Sequence, residues 1–121
     1  MGRDFRKIKA WQYADDLSVL VYSITRDFPK DELYGITSQL RRAVVSVGAN
    51  IVEGANREHK KEYLHFLYIA RASLSETEYL LHLSNRLGYL RDINYKKIDE
   101  LRIETAKTLY GLINSVKKEI K

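Results

Sequence analysis

The apolar residues of this chain recur every three or four positions almost from end to end, and the strict alternation that marks a strand is nearly absent. That period belongs to helices with one buried face. It predicts an all-α fold with four helices. The first covers about residues 8–27, with a stripe of Ala10, Ala14, Leu17, Val21, Ile24 and Phe28. Pro29 stops it, because proline disfavours helix at the residue before it. The second covers about 31–53, with Leu33, Ile36, Leu40, Val44, Val47 and Ile51 as its core stripe. Asp31 is its expected cap and Gly54 the expected left-handed residue beyond its end. Gly35 and Gly48 fall inside it, each at a cost of up to about 1 kcal/mol relative to alanine. A close approach of another helix would explain such glycines. The third covers about 57–87 and ends at Gly88, with Tyr63, Phe66, Leu67, Ala70, Leu74, Thr77, Leu81 and Ser84 along one side. The fourth covers about 94–118, capped by Asn94 or Asp92, with Ile98, Leu101, Thr105, Leu109, Leu112 and Val116. Short connections make consecutive helices antiparallel, so the expected fold is an up-down-up-down antiparallel four-helix bundle.

At 121 residues the chain fits one domain, 1–121. It has no cysteine, which excludes a disulfide scaffold, a Cys-based zinc or iron–sulfur site and a thiol nucleophile. One proline and 45% hydrophobic residues argue against disorder. The polar start lacks the apolar core of a secretory signal, and no apolar run is long enough to span a membrane. After Met1-Gly2 a myristoylation motif would need Ser or Thr where Arg6 stands. The expected location is the cytoplasm.

Function has to come from the outward faces. Opposite its core stripe, the second helix gathers Ser38, Arg42, Val45, Ser46, Ala49, Val52 and Glu53. A helix apolar on both sides is usually buried on both, so Arg42, Val45, Ser46, Ala49, Val52 and Glu53 are predicted to form a subunit interface. The alternative is a scatter of surface apolar residues, which is common. Arg42 and Glu53 lie about 16 Å apart along one helix, so they could pair only with another helix or subunit. Arg42, Ser46, Asn50 and Glu53 are read as structural at such contacts. Trp11 and Tyr22 on the first helix, and Tyr68 and Tyr79 on the third, lie off the core stripes. Aromatics there suit either a protein interface or the stacking of bases beside cations.

Lysine and arginine number 21 against 16 acids, for a net charge of +5. That excess favours an anionic partner. Arg3, Arg6, Lys7 and Lys9 crowd the first residues, and Lys60 and Lys61 open the third helix. These six are the candidate phosphate contacts; the alternative for each cluster alone is a solvated charged face. Catalysis finds little support. Glu62 and His65 have the Glu-x-x-His spacing of carboxylate-bridged di-iron bundles, but those sites need a second such pair and further inward glutamates. No phosphate-binding glycine loop and no nucleophile elbow is present. Ser38, Ser46 and Ser73 have no histidine base near in sequence. No metal, cofactor or catalytic residue is assigned, and the chain is read as non-enzymatic.

The run from Ser38 to Gly54, SQLRRAVVSVGANIVEG, resembles the signature of the bacterial four-helix-bundle proteins encoded within 23S rRNA intervening sequences. Trp11-Gln12 with Leu17 and Tyr22, then Phe28-Pro29, then the run from Phe66 to Glu76 fit the same pattern, so the resemblance extends from about Phe5 to Lys118. Gly48 and Ala72 depart from residues common in that family, but both keep a small side chain. The resemblance implies a ring-shaped homo-oligomer, with a pentamer expected. It implies no catalytic residue. The accessory variability determinants of diversity-generating retroelements are similar in fold, and are basic pentamers that bind nucleic acid and a reverse transcriptase. The combined reading is an oligomeric bundle that binds RNA or another nucleic acid. The alternative is a protein-interaction scaffold working through Trp11, Tyr22, Tyr68 or Tyr79.

Overall fold

The structure is a computed structural model that describes residues 3–120. Met1 and Gly2, on which the myristoylation reading turned, and Lys121 lie outside the described residues. A single 3-10 turn, Phe5–Lys7, precedes α1 (Lys9–Thr25); a second, Lys30–Glu32, leads to α2 (Ile36–Ala55), followed by α3 (Lys60–Arg86) and α4 (Asp92–Glu119). Around the bundle, α1 packs on α2 and α4, and α3 packs on the same two helices. The diagonal pairs α1/α3 and α2/α4 share no close backbone contact among the described residues. This is the antiparallel four-helix bundle expected from the periodicity.

The core stripes fall where the 3.6-residue period put them. Leu17, Val21, Leu40, Val44, Val47, Ile51, Leu67, Leu81, Ile98 and Leu109 are all buried. Ile113 joins them, though it lies one position off the stripe assigned to the fourth helix. Four buried hydroxyls among these apolar side chains bond back to the preceding turn, that of Thr25 to Val21 O at 2.7 Å. Thr77 Oγ1 donates to Ser73 O at 2.9 Å, Ser84 Oγ to Leu80 O at 2.7 Å, and Thr105 Oγ1 to Leu101 O at 2.8 Å. A polar side chain satisfied this way can be buried without an orphaned donor.

The helix ends correct several expectations. The second helix starts at Ile36, not near 31. Gly35, with φ −109° and ψ −119°, lies outside the helix rather than within it. Leu33 is therefore displaced from the core and is 46% exposed. Asp31 does not cap the helix; the Glu32 carboxylate accepts the Ile36 N–H at 3.4 Å instead. Gly54 is not a left-handed terminus. It lies within α2, where a Cβ would come 2.9 Å from Tyr63 Cδ1 and 3.0 Å from Phe66 Cβ. Its role is to let α3 approach closely. The third helix begins at Lys60 rather than 57, and the fourth begins at Asp92 after an Arg91 cap position rather than at 94.

Gly88 matches its reading, whereas at Gly48 no neighbour comes close enough to require glycine. Gly88, at φ 81°, ends α3. Tyr89 N–H bonds Ser84 O at 3.0 Å and Gly88 N–H bonds Asn85 O at 3.0 Å, the double closure of a Schellman motif. Gly48 faces α1, where the Trp11 indole and the Ala14 methyl lie against the space its missing side chain leaves. No helix among the described residues is long and apolar enough to cross a membrane.

Candidate nucleic-acid interface and subunit face

Antiparallel packing brings four chain segments to one end of the bundle: the 3-10 turn before α1, the α2–α3 connection, the start of α3 and the end of α4. Cations from all four lie there: Arg6 and Lys7 from the first, with Lys9 at the adjoining start of α1, Arg57 from the second, Lys60 and Lys61 from the third, and Lys117 and Lys118 from the last. Clusters separated by some fifty residues in sequence are thus brought to one end of the bundle, where cations outnumber the carboxylates of Asp4, Glu53, Glu58, Glu62 and Glu119. Arg6, Lys7, Lys9 and Lys61 are exposed. Lys60 is tied down, with its Nζ 2.7 Å from Glu119 Oε1. That hydrogen bond and the Lys60 charge hold the Glu119 carboxyl below its ordinary value. Arg57 pairs with Glu53 one helical turn earlier.

Arg3 departs from its sequence reading. Its guanidinium donates to Ala55 O at 3.3 Å and Arg57 O at 3.1 Å, and it lies 4.3 Å from the Tyr63 ring centre. It closes the carboxyl end of α2, where free carbonyls and the helix dipole favour a cation. Its Nη1 is committed within the fold, so Arg3 has a structural part at this end of the bundle. Burial raises the Tyr63 phenol above its ordinary value, and the Arg3 charge partly offsets this.

The second face of α2 is divided by the structure. Ser46 turns toward α3, where its hydroxyl meets that of Ser73 at 2.8 Å. Asn50 Nδ2 donates to Ser46 O at 2.8 Å and Ser46 Oγ at 3.0 Å. The Ser46–Ser73 bond thus stitches α2 to α3, with Asn50 bracing Ser46 from within α2. Val45, 44% exposed, and Ala49 remain outward, with Val52 half-buried beside them. Arg42 is exposed and has no carboxylate within 4.0 Å among the described residues.

The four aromatics also separate. Trp11 is half-buried, edge-on to Phe5 with ring centres 4.9 Å apart, and its indole covers Gly48. Tyr68 is half-buried against the core beneath the Arg71 guanidinium, 4.9 Å from its ring centre. These two are parts of the fold rather than outward rings. Tyr22 is exposed beside Arg41, and Tyr79 is 59% exposed. The sequence reading missed a cleft of about 360 Å³ between α3 and α4, floored by Leu74 and Leu109 and flanked by Arg102 and Tyr110. Arg102 is fixed there by Asp99 at 2.7 Å and Glu78 at 3.5 Å. The helical spacing of Asp99 and Arg102 is readable in sequence, but the partner on α3 is not. No group of three His, Asp or Glu residues able to hold a metal ion occurs among the described residues.

Comparison with known proteins agrees with this architecture. A crystal structure of a protein of unknown function from the S23 ribosomal protein family of Bacteroides thetaiotaomicron superposes with a TM-score of 0.77 at 25% sequence identity, covering 86% of this chain and 97% of that one. No curated protein matches the sequence significantly. The profile of the 23S rRNA-intervening sequence proteins matches residues 6–111. With that match over most of its length, and with the bundle it shares with the Bacteroides protein, the chain belongs to the 23S rRNA-intervening sequence protein family.

Proposed function

We propose that this protein is a non-enzymatic, cytoplasmic, oligomeric helix bundle that binds RNA or another nucleic acid through its basic end. The observation that carries this reading is the convergence of Arg6, Lys7, Lys9 and Lys61 with the other cations of that end. Membership of a family named for an rRNA intervening sequence supports the choice of RNA. Self-association would pass through Val45, Ala49 and Val52, with Arg42 and Glu53 at the margins. A ring of five copies of +5 would carry about +25 and turn a weak patch into a multivalent one.

The test is RNA binding followed as a function of salt. Affinity should fall steeply between about 50 and 200 mM salt, as counterions are released from phosphates. Replacing Lys7 or Lys61 by Gln should reduce the salt slope by about one each. Affinity that is independent of salt would reject the basic-end reading. For the interface, Val45→Asp should shift the light-scattering mass downward, and an unchanged assembly would reject α2 as the contact. A second reading, a protein scaffold, draws on the exposed rings of Tyr79 and Tyr22. It predicts binding that changes little with salt.

A further inference from the structure

At the end of the bundle away from the basic surface, roughly 25 Å along α1, the chain turns from α1 to α2 around a pocket of about 310 Å³. That volume lies at the small end of the range for ligand sites. Phe28, Pro29 and Leu33 form its apolar walls. Its charged lining is cationic throughout, from Arg26, Lys30 and Arg41, and no carboxylate lines it. Glu32, close in sequence, is turned to the Ile36 N–H and the Tyr89 hydroxyl. None of the three cations has a carboxylate within 4.0 Å among the described residues.

Arg41 is held in place before any ligand arrives. Its Nε donates to Thr25 Oγ1 at 2.9 Å and its guanidinium lies 4.6 Å from the Tyr22 ring centre. Among the described residues neither terminal nitrogen has a protein acceptor. Thr37, one turn earlier on α2, lines the same pocket. It is 2% exposed, and its buried Oγ1 has no hydrogen-bond partner among the described residues. Native proteins leave few buried hydroxyls unpaired. The pocket also lies at the amino end of α2, where the helix dipole favours negative charge.

We propose that this pocket binds a carboxylate carried on a compact apolar group. The planar carboxylate matches the terminal nitrogens of Arg41, with Lys30 and Arg26 supplying field. The apolar body packs on Phe28, Pro29 and Leu33. A bare inorganic anion would leave those walls unused. The same chemistry occurs in a free monocarboxylic acid and in the carboxyl terminus of a polypeptide with an apolar last residue. The site is separate from the basic end, so either can fail without the other.

The experiment is an NMR titration of the full chain with two probes: phenylpropionate, and a short acetylated peptide ending in phenylalanine. Each is run beside its amide. The acids should bind at least about tenfold more tightly than the amides, the effect of a charge-assisted hydrogen bond, with shifts centred on Thr25, Thr37 and Arg41. The tighter acid identifies the source. Lys30→Gln, at an exposed position that leaves the packing intact, should weaken both acids, and Arg41→Gln should weaken them further. Equal binding of acid and amide, no saturable shift with either acid, or unchanged binding in both variants overturns the proposal.

Discussion

The Tyr89 hydroxyl donates to Glu32 Oε2 at 2.8 Å, joining the turn after α3 to the turn before α2 across 57 residues of chain. This bond raises the Tyr89 phenol above the ordinary tyrosine value of 10.0, with burial and the charges of Glu32 and Asp31 adding to it. Tyr63 is raised as well, chiefly by burial. For both groups the folded chain holds its proton more tightly than the unfolded chain. Their contribution to stability is therefore complete below about pH 10 and is lost as pH rises through the folded values. Thermal melts from about pH 8 to 11 should show a fall at the alkaline end. Tyr89→Phe should make that fall shallower.

Gly48 and Gly54 should respond to alanine in opposite directions. A Cβ at Gly48 would sit 3.7 Å from the Trp11 ring and 3.9 Å from the Ala14 methyl, an ordinary contact distance. Gly48→Ala then gains helix propensity and should stabilise the fold by up to about 1 kcal/mol. At Gly54 the Cβ would meet Tyr63 O at 3.1 Å and the Tyr63 ring closer still. Gly54→Ala should destabilise by about 1–3 kcal/mol. Urea unfolding of the two variants measures both.

Arg3 and Lys7 are close in sequence but should separate in function. Arg3→Ala removes the guanidinium from Ala55 O, Arg57 O and the Tyr63 ring. It should cost about 1–2 kcal/mol while leaving the salt slope of RNA binding unchanged. Lys7→Gln should do the reverse. A normal melting temperature for Arg3→Ala would show that its bonds contribute little.

Thr37→Val tests the unpartnered hydroxyl. Removing a buried polar group that has no partner should raise stability by about 1 kcal/mol.

The periodicity was sufficient to place the core because burial in a bundle repeats with the helix itself. Leu17, Leu40, Leu67 and Leu109 could be assigned from spacing alone. The helix ends were less legible, because they depend on contacts between distant segments. Glu32 rather than Asp31 meets the start of α2, and Gly54 serves a neighbouring helix rather than a turn. The basic end was partly legible: its clusters were visible, but only antiparallel packing joins them. Charge alone gave no sign that Arg3 is folded inward while Lys7 is not. The pocket beneath Arg41 was not legible, since Thr37 and Arg41 share a face of α2 but Arg26 and Lys30 reach them only around a turn.

The contacts between helices also bear on the order of assembly. Three of the four packed pairs, α1 with α2, α2 with α3 and α3 with α4, join consecutive helices, and only α1 with α4 spans the chain. Each consecutive pair can form as a local hairpin with little loop-closure entropy, which favours rapid folding. The α1–α4 seam has to wait for both ends of the chain to arrive. Amide exchange on those facing sides should report the earliest local opening, and the α2–α3 hairpin, held by the Ser46–Ser73 bond, should open last.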